Sequence, residues 1–107
     1  MKSFKISLCS HETEKLIVIV RATMCNSRLT IEGHDLGKKV KEYWGDDDYE
    51  YSYTFDQENT KRLLETINGK SSPQCALRNH FSGPEGCGKL RELCKANNIA
   101  YSFFSWV

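Results

Sequence analysis

The sequence lacks the features that mark a membrane protein or a secreted protein. Its longest aliphatic run, Leu16 to Val20, is far shorter than the roughly 20 apolar residues that span a bilayer. The N-terminal residues resemble the start of a secretion signal, but His11, Glu12 and Glu14 interrupt the apolar region that such a signal requires. We therefore predict a cytoplasmic protein with no membrane partner.

The short motifs of the common catalytic and nucleotide-binding sites are also absent. The chain has no GxGxxG, GxxxxGK(S/T), HExxH or GxSxG, which carry dinucleotide, phosphate, zinc-protease and serine-hydrolase chemistry. It has no CxxC pair either, so the commonest redox and zinc spacing is missing. The absence of these motifs favours a non-enzymatic protein, but it does not exclude an enzyme.

The cysteines are odd in number and irregular in spacing. They are Cys9, Cys25, Cys75, Cys87 and Cys94. In a reducing compartment such residues are most simply free thiols that act as small apolar groups. Structural zinc normally uses pairs of ligands two to four residues apart, and only Cys9 and His11 come near that spacing. We predict no bound metal and no cofactor.

Length and composition indicate one globular domain that covers residues 1–107. Hydrophobic residues make up 39% and charged residues 27% of the chain, an ordinary balance for a folded domain. The net charge of +1 hides an uneven distribution, because residues 32–58 carry nine acidic and three basic groups. This acidic middle is the electrostatic feature that a function has to explain.

The hydrophobic pattern at the start of the chain predicts strands. Alternation from Phe4 to Leu8, the β-branched run to Val20 and alternation from Leu29 to Glu32 predict three antiparallel strands over residues 3–33. Cys25 to Arg28 forms a tight turn between the second and third strands. Asp35 is predicted to cap a short helix from Leu36 to Trp44, with Leu36, Val40, Tyr43 and Trp44 on one face.

The second half adds a strand, three helices and a last strand. Tyr49, Tyr51, Tyr53 and Phe55 alternate with polar residues as in a strand. Helices then follow Asp56, Ser72 and Glu85. The stretch from Tyr101 to Val107 would place aromatic residues on both faces of a strand. This pattern predicts a strand that is buried on both sides inside the sheet. The order β-β-β-α-β-α-α-α-β predicts a two-layer α+β domain, with a mainly antiparallel sheet and most helices on one face.

The acidic, tyrosine-rich stretch is the predicted contact surface for a partner. Its residues are Asp46, Asp47, Asp48, Tyr49, Glu50 and Tyr51. Clustered carboxylates repel one another unless something positive compensates, and tyrosines add rigid contact area. The alternative interpretation is a solvated turn followed by a strand that faces the core. The interleaved residues are Asp, Glu, Ser and Thr rather than Lys or Arg, which argues against nucleic acid.

We therefore predict a small non-enzymatic protein that binds a basic protein partner, of the immunity, antitoxin or phage-type inhibitor class. The alternative function is a small thiol-dependent enzyme or metal-binding domain centred on Cys87 and His80. Cys87 follows a glycine-rich loop and opens a predicted helix, a position that lowers the pKa of a thiol. The sequence does not define the oligomeric state.

Overall fold

A five-stranded antiparallel sheet with four helices forms the fold in the computed structural model. The structure describes residues 3–45 and 48–106, with the side chains of Lys39, Tyr43 and Trp44 excluded. The elements are β1 (Phe4–Glu12), β2 (Ile17–Cys25), β3 (Arg28–Leu36), α1 (Lys38–Trp44), β4 (Asp48–Thr54), α2 (Gln57–Thr66), α3 (Pro73–Phe81), α4 (Gly86–Asn97) and β5 (Ser102–Trp106). The predicted α+β class and element order are confirmed.

The strands lie in the sheet in the same order as in the chain, β1-β2-β3-β4-β5. The turn between β2 and β3 is a two-residue hairpin in which Asn26 and Ser27 both have positive φ, as hairpin turns of this length require. A register shift between Ser7 and Cys9 marks a bulge in β1. Pairing with β2 resumes after the bulge as far as Glu12, which lies across from Ile17, so the first strand is longer than the alternation indicated.

One face of the sheet carries the core. Its side chains include Val20, Met24, Ile31, Tyr53 and Phe55, all buried, and α2, α3 and α4 add apolar residues to the same cluster. The alternate residues of each strand point the other way, and none of those described is buried. We call this second side of the sheet the open face. It includes Ile19, Arg21, Glu32, His34, Asp48, Glu50, Phe104 and Trp106.

Local signals account for the start of α2 and the end of α1. Asp56 caps α2, since its Oδ1 accepts a hydrogen bond from the Asn59 backbone N–H at 2.8 Å. Gly45 ends α1 in the left-handed conformation, as its position after the apolar residues indicated. No helix in the described part of the chain combines the length and apolarity needed to cross a membrane.

Asp35 does not cap α1. Strand β3 runs through Leu36, and the residue before the helix is Gly37, with a φ of 117°. A strand continues there because Asp35 and Leu36 still pair with Tyr49 and Asp48 of β4. The predicted apolar face of α1 cannot be traced in full, because the side chains of Tyr43 and Trp44 are outside the described set.

The predicted interior position of the last strand is wrong. β5 pairs with β4 alone and forms an edge of the sheet. Phe103, Phe104 and Trp106 are 46%, 66% and 51% exposed. Aromatic residues on both sides of a strand indicate burial only when layers cover both sides, and here the sheet has one helical layer.

Candidate functional site

The structure divides the predicted contact residues between the two faces of the sheet. Asp48 and Glu50 lie on the open face, whereas Tyr49 and Tyr51 point toward the helices. The division follows from the two-residue period of a strand. Asp46 and Asp47 lie outside the described residues. The four described members are all half-buried.

On the open face, an imidazole ring lies between two carboxylates. His34 of β3 pairs directly across from Glu50 of β4. Its Nε2 contacts Oδ1 of Asp48 and lies 3.8 Å from Oε1 of Glu50. On the far side, the indole N–H of Trp106 donates a hydrogen bond to Oε2 of Glu50. Three adjacent strands therefore contribute to one polar cluster.

This cluster borders a shallow cavity of about 130 Å³ on the open face. The lining includes Ile19, Arg21, Glu32, His34, Glu50 and Trp106. Arg21 lies across from Glu32, so these two residues together add no net charge to the lining. The pair of carboxylates around His34 gives the β4 side of the cavity its negative character. Exposed aromatic rings at Phe104 and Trp106 extend the same surface to the sheet edge.

The tyrosines on the other face form a packed cluster under the helices. Tyr51 donates a hydrogen bond to Oδ1 of Asp35 at 3.1 Å, and Arg91 of α4 donates one to the Tyr53 hydroxyl at 2.6 Å. The Tyr51 and Tyr53 rings meet edge to face, with centroids 6.2 Å apart. Burial raises the pKa of Tyr51 well above its usual value and also raises the pKa of Asp35. Tyr53 is completely enclosed, so this cluster belongs largely to the core.

Cys87 lies beside these tyrosines and is not activated. Burial raises the pKa of its thiol to about 11, although Arg91 acts in the opposite direction. At neutral pH roughly one thiol in ten thousand is then ionised. His80 is exposed on α3, and its ring lies at a tilt beside the ring of Phe81. No hydrogen bond joins His80 to Cys87 within the described ranges. All five cysteines are free thiols.

Sequence reasoning missed three residues of the open-face cluster as site residues: His34, Phe104 and Trp106. His34 has no cysteine or histidine at metal-ligand spacing in the sequence. The alternation in β3 and β4 was visible, but the register that places His34 across from Glu50 was not. The two aromatic residues were assigned to the core because β5 was expected inside the sheet.

No protein-family model, curated protein sequence or solved structure matches this chain significantly.

Proposed function

We propose that this chain is a non-enzymatic binding protein that engages a basic protein partner through the β4–β5 side of its open face. One observation carries the proposal. Trp106 is exposed directly across from Glu50 and Phe104 is exposed across from Ser52, on a face where no described residue is buried. Exposed aromatic rings next to carboxylates combine apolar contact area with a charge that selects the partner.

The aromatic residues supply the apolar part of the contact. Phe104 and Trp106 leave most of their ring surface in water, at a cost of about 25 cal/mol per Å² of apolar area. Aromatic anchors of this kind contribute much of the energy in protein interfaces. The indole N–H of Trp106 already has a partner in Glu50, so burial of the ring against another protein would leave no donor unsatisfied.

The carboxylates supply selectivity for a basic surface. Asp48 and Glu50 surround a single imidazole, and Asp46 and Asp47 precede them in the sequence. A partner with Lys or Arg at matching positions would relieve the repulsion among these groups. Such charges mainly increase the association rate, and their reach is about 8 Å at physiological ionic strength.

The open face alone is smaller than a standard protein interface, so a partner bound to it would also contact residues beyond the edge of the sheet. Three of its strands have nine residues, and neighbouring strands lie about 4.8 Å apart, which gives a face of roughly 600 Å². A standard interface buries about 800 Å² on each partner. In this proposal Tyr49 and Tyr51 lie on the opposite side of β4 from the contact and pack β4 against the helices. The size and acidic middle suit the immunity, antitoxin or phage-type inhibitor class, an analogy at the level of class.

The test is capture of a partner from native extract by the wild-type chain and by two matched variants. Asp48→Asn/Glu50→Gln removes two negative charges from the open face, and Glu85→Gln/Glu92→Gln removes two from exposed positions at α4. We expect the first variant to recover markedly less of the same partner at low salt and the second to match wild type. The capture is run in the presence of a chelator so that metal ions have no influence.

Phe104→Ala tests the aromatic part separately. We expect faster dissociation of the captured partner, by about tenfold or more, because loss of an anchor acts mainly on the dissociation rate. Equal recovery by wild type and both open-face variants would refute the proposal. A partner lost only with Glu85→Gln/Glu92→Gln would move the contact to the helical layer.

A further inference from the structure

We infer that His34, Asp48 and Glu50 form a binding site for a divalent transition-metal ion. One imidazole nitrogen and two carboxylate oxygens, one from each residue, all lie within 4.8 Å of one another. Around a metal ion with bonds of about 2.0–2.2 Å, neighbouring ligand atoms lie roughly 3–3.5 Å apart. A small rotation of the carboxylate side chains therefore closes the set around one ion.

The strands hold the three ligands in fixed positions. His34 and Glu50 are direct cross-strand partners, and such partners keep their Cβ atoms about 5 Å apart. Asp48 is two residues before Glu50 and so lies on the same face of β4. A site built on neighbouring strands is better ordered than one built on loops.

The arrangement of charges favours a cation at the centre. Asp48 and Glu50 both approach the same ring nitrogen, Nε2 of His34. A ring nitrogen carries at most one hydrogen, so it cannot make a good hydrogen bond to both carboxylates. A divalent ion bound by the nitrogen and by one oxygen of each carboxylate would satisfy all three groups and offset both negative charges.

A hydrogen bond behind the ligands supports this assignment. Trp106 donates its indole N–H to Oε2 of Glu50, which leaves Oε1 directed toward His34. Metal-ligating carboxylates are commonly oriented by hydrogen bonds of this kind, and loss of such a partner typically weakens metal affinity 10–100-fold.

The ligand types indicate the class of metal. Imidazole suits Zn²⁺, Cu²⁺, Fe²⁺ and Ni²⁺, whereas Ca²⁺ and Mg²⁺ prefer sets composed of oxygen alone. One nitrogen and two carboxylates therefore favour an ion of the Mn²⁺–Zn²⁺ series, with further positions open to water or to a partner's side chain. The prediction of no metal rested on spacing along the chain, which does not detect ligands from two paired strands. This inference does not depend on the proposed partner, and because a bound ion would offset the charges of Asp48 and Glu50, the ion and a basic partner would compete for these two carboxylates.

Titration of the full chain with Co²⁺ alone and with Mn²⁺ alone tests the inference. Calorimetry should show one saturable site for each ion, and bound Co²⁺ should show no sulfur-to-cobalt charge-transfer band, since the ligands are nitrogen and oxygen. His34→Gln and Glu50→Gln should each weaken binding at least about tenfold, and Trp106→Phe roughly tenfold. His80→Gln is the matched control at an exposed histidine and should bind as wild type does.

Near-ultraviolet circular dichroism and thermal melting of each variant confirm that it is folded. Asp48→Asn provides a second ligand variant if Glu50→Gln melts early. The inference is wrong if wild type shows no saturable binding up to the millimolar range. It is equally wrong if His34→Gln binds as tightly as wild type, or if a thiolate band reveals cysteine ligands.

Discussion

Gly33 lies directly across from Tyr51 in the sheet, and the Tyr51 ring covers it. A Cβ atom added at Gly33 would lie inside the 3.0 Å limit that real Cβ contacts essentially never cross, against three atoms of that ring. The ring would have to move, and it would take its hydrogen bond to Asp35 with it. We predict that Gly33→Ala destabilises the protein only because Tyr51 is present.

The expected magnitude follows from three contributions. Overpacking of a well-filled site costs about 1–3 kcal/mol, and loss of a hydrogen bond costs about 0.5–1.5 kcal/mol. Alanine in a strand interior returns about 0.5–1 kcal/mol relative to glycine. The net loss is about 2 kcal/mol, or roughly 10 °C in Tm for a domain of this size. Once Tyr51→Ala has removed the ring, Gly33→Ala should instead stabilise by about 0.5–1 kcal/mol.

Urea unfolding of wild type, both single variants and the double variant measures this coupling. Gly88→Ala is the control, because a Cβ atom at Gly88 would meet nothing closer than 3.7 Å, and alanine within a helix is favourable. We expect a coupling energy of about 2–3 kcal/mol between Gly33 and Tyr51. If Gly33→Ala is equally destabilising with and without the Tyr51 ring, the packing of that ring over Gly33 is refuted.

Two further predictions concern burial. Phe55→Ala should lower the free energy of unfolding by about 3–5 kcal/mol, because Phe55 is completely enclosed. Phe104→Ala should lower it by about 1 kcal/mol or less, because two thirds of that residue is exposed to water. Equal losses of stability in urea unfolding would contradict the edge position of β5. The rate at which Cys87 is alkylated, measured by mass spectrometry, should be low at neutral pH, because a raised pKa keeps the thiol protonated. The rate should increase as the pH approaches the pKa of about 11. Modification of Cys87 before the exposed Cys75 would restore the thiol-enzyme alternative.

The elements with strong local signals could be predicted from the sequence. The tyrosine alternation predicted β4, and Asp56 predicted the start of α2. The glycines near residues 83–86 predicted the break between α3 and α4. Each of these features depends on a few neighbouring residues, so it can be predicted from a short stretch of sequence. The end of β3 was not predicted, because Asp35 is an equally good helix cap when its pairing with Tyr49 is unknown.

Only part of the candidate site could be predicted, because the sequence does not show which strands pair or in which register. Asp48 and Glu50 stand out by charge, but their neighbours are determined by register. His34 and Trp106 are 14 and 56 positions away from their carboxylate partners, and nothing in the local pattern links them. Layer assignment had the same limit, since β5 shows aromatic residues on both sides whether one layer or two cover the sheet.

The order of the strands has a consequence for how the chain folds. Strands β1 to β3 join through short connections and β4 follows a single short helix, but residues 55–101 separate β4 from β5. Closing that connection costs about 3 kcal/mol more chain entropy than closing the two-residue turn at Asn26. We expect β5 to dock last, after the intervening helices have formed. Pulse-labelled hydrogen exchange during refolding should protect β2 and β3 first; earlier protection of the β5 amides would show that the long connection is closed at the start.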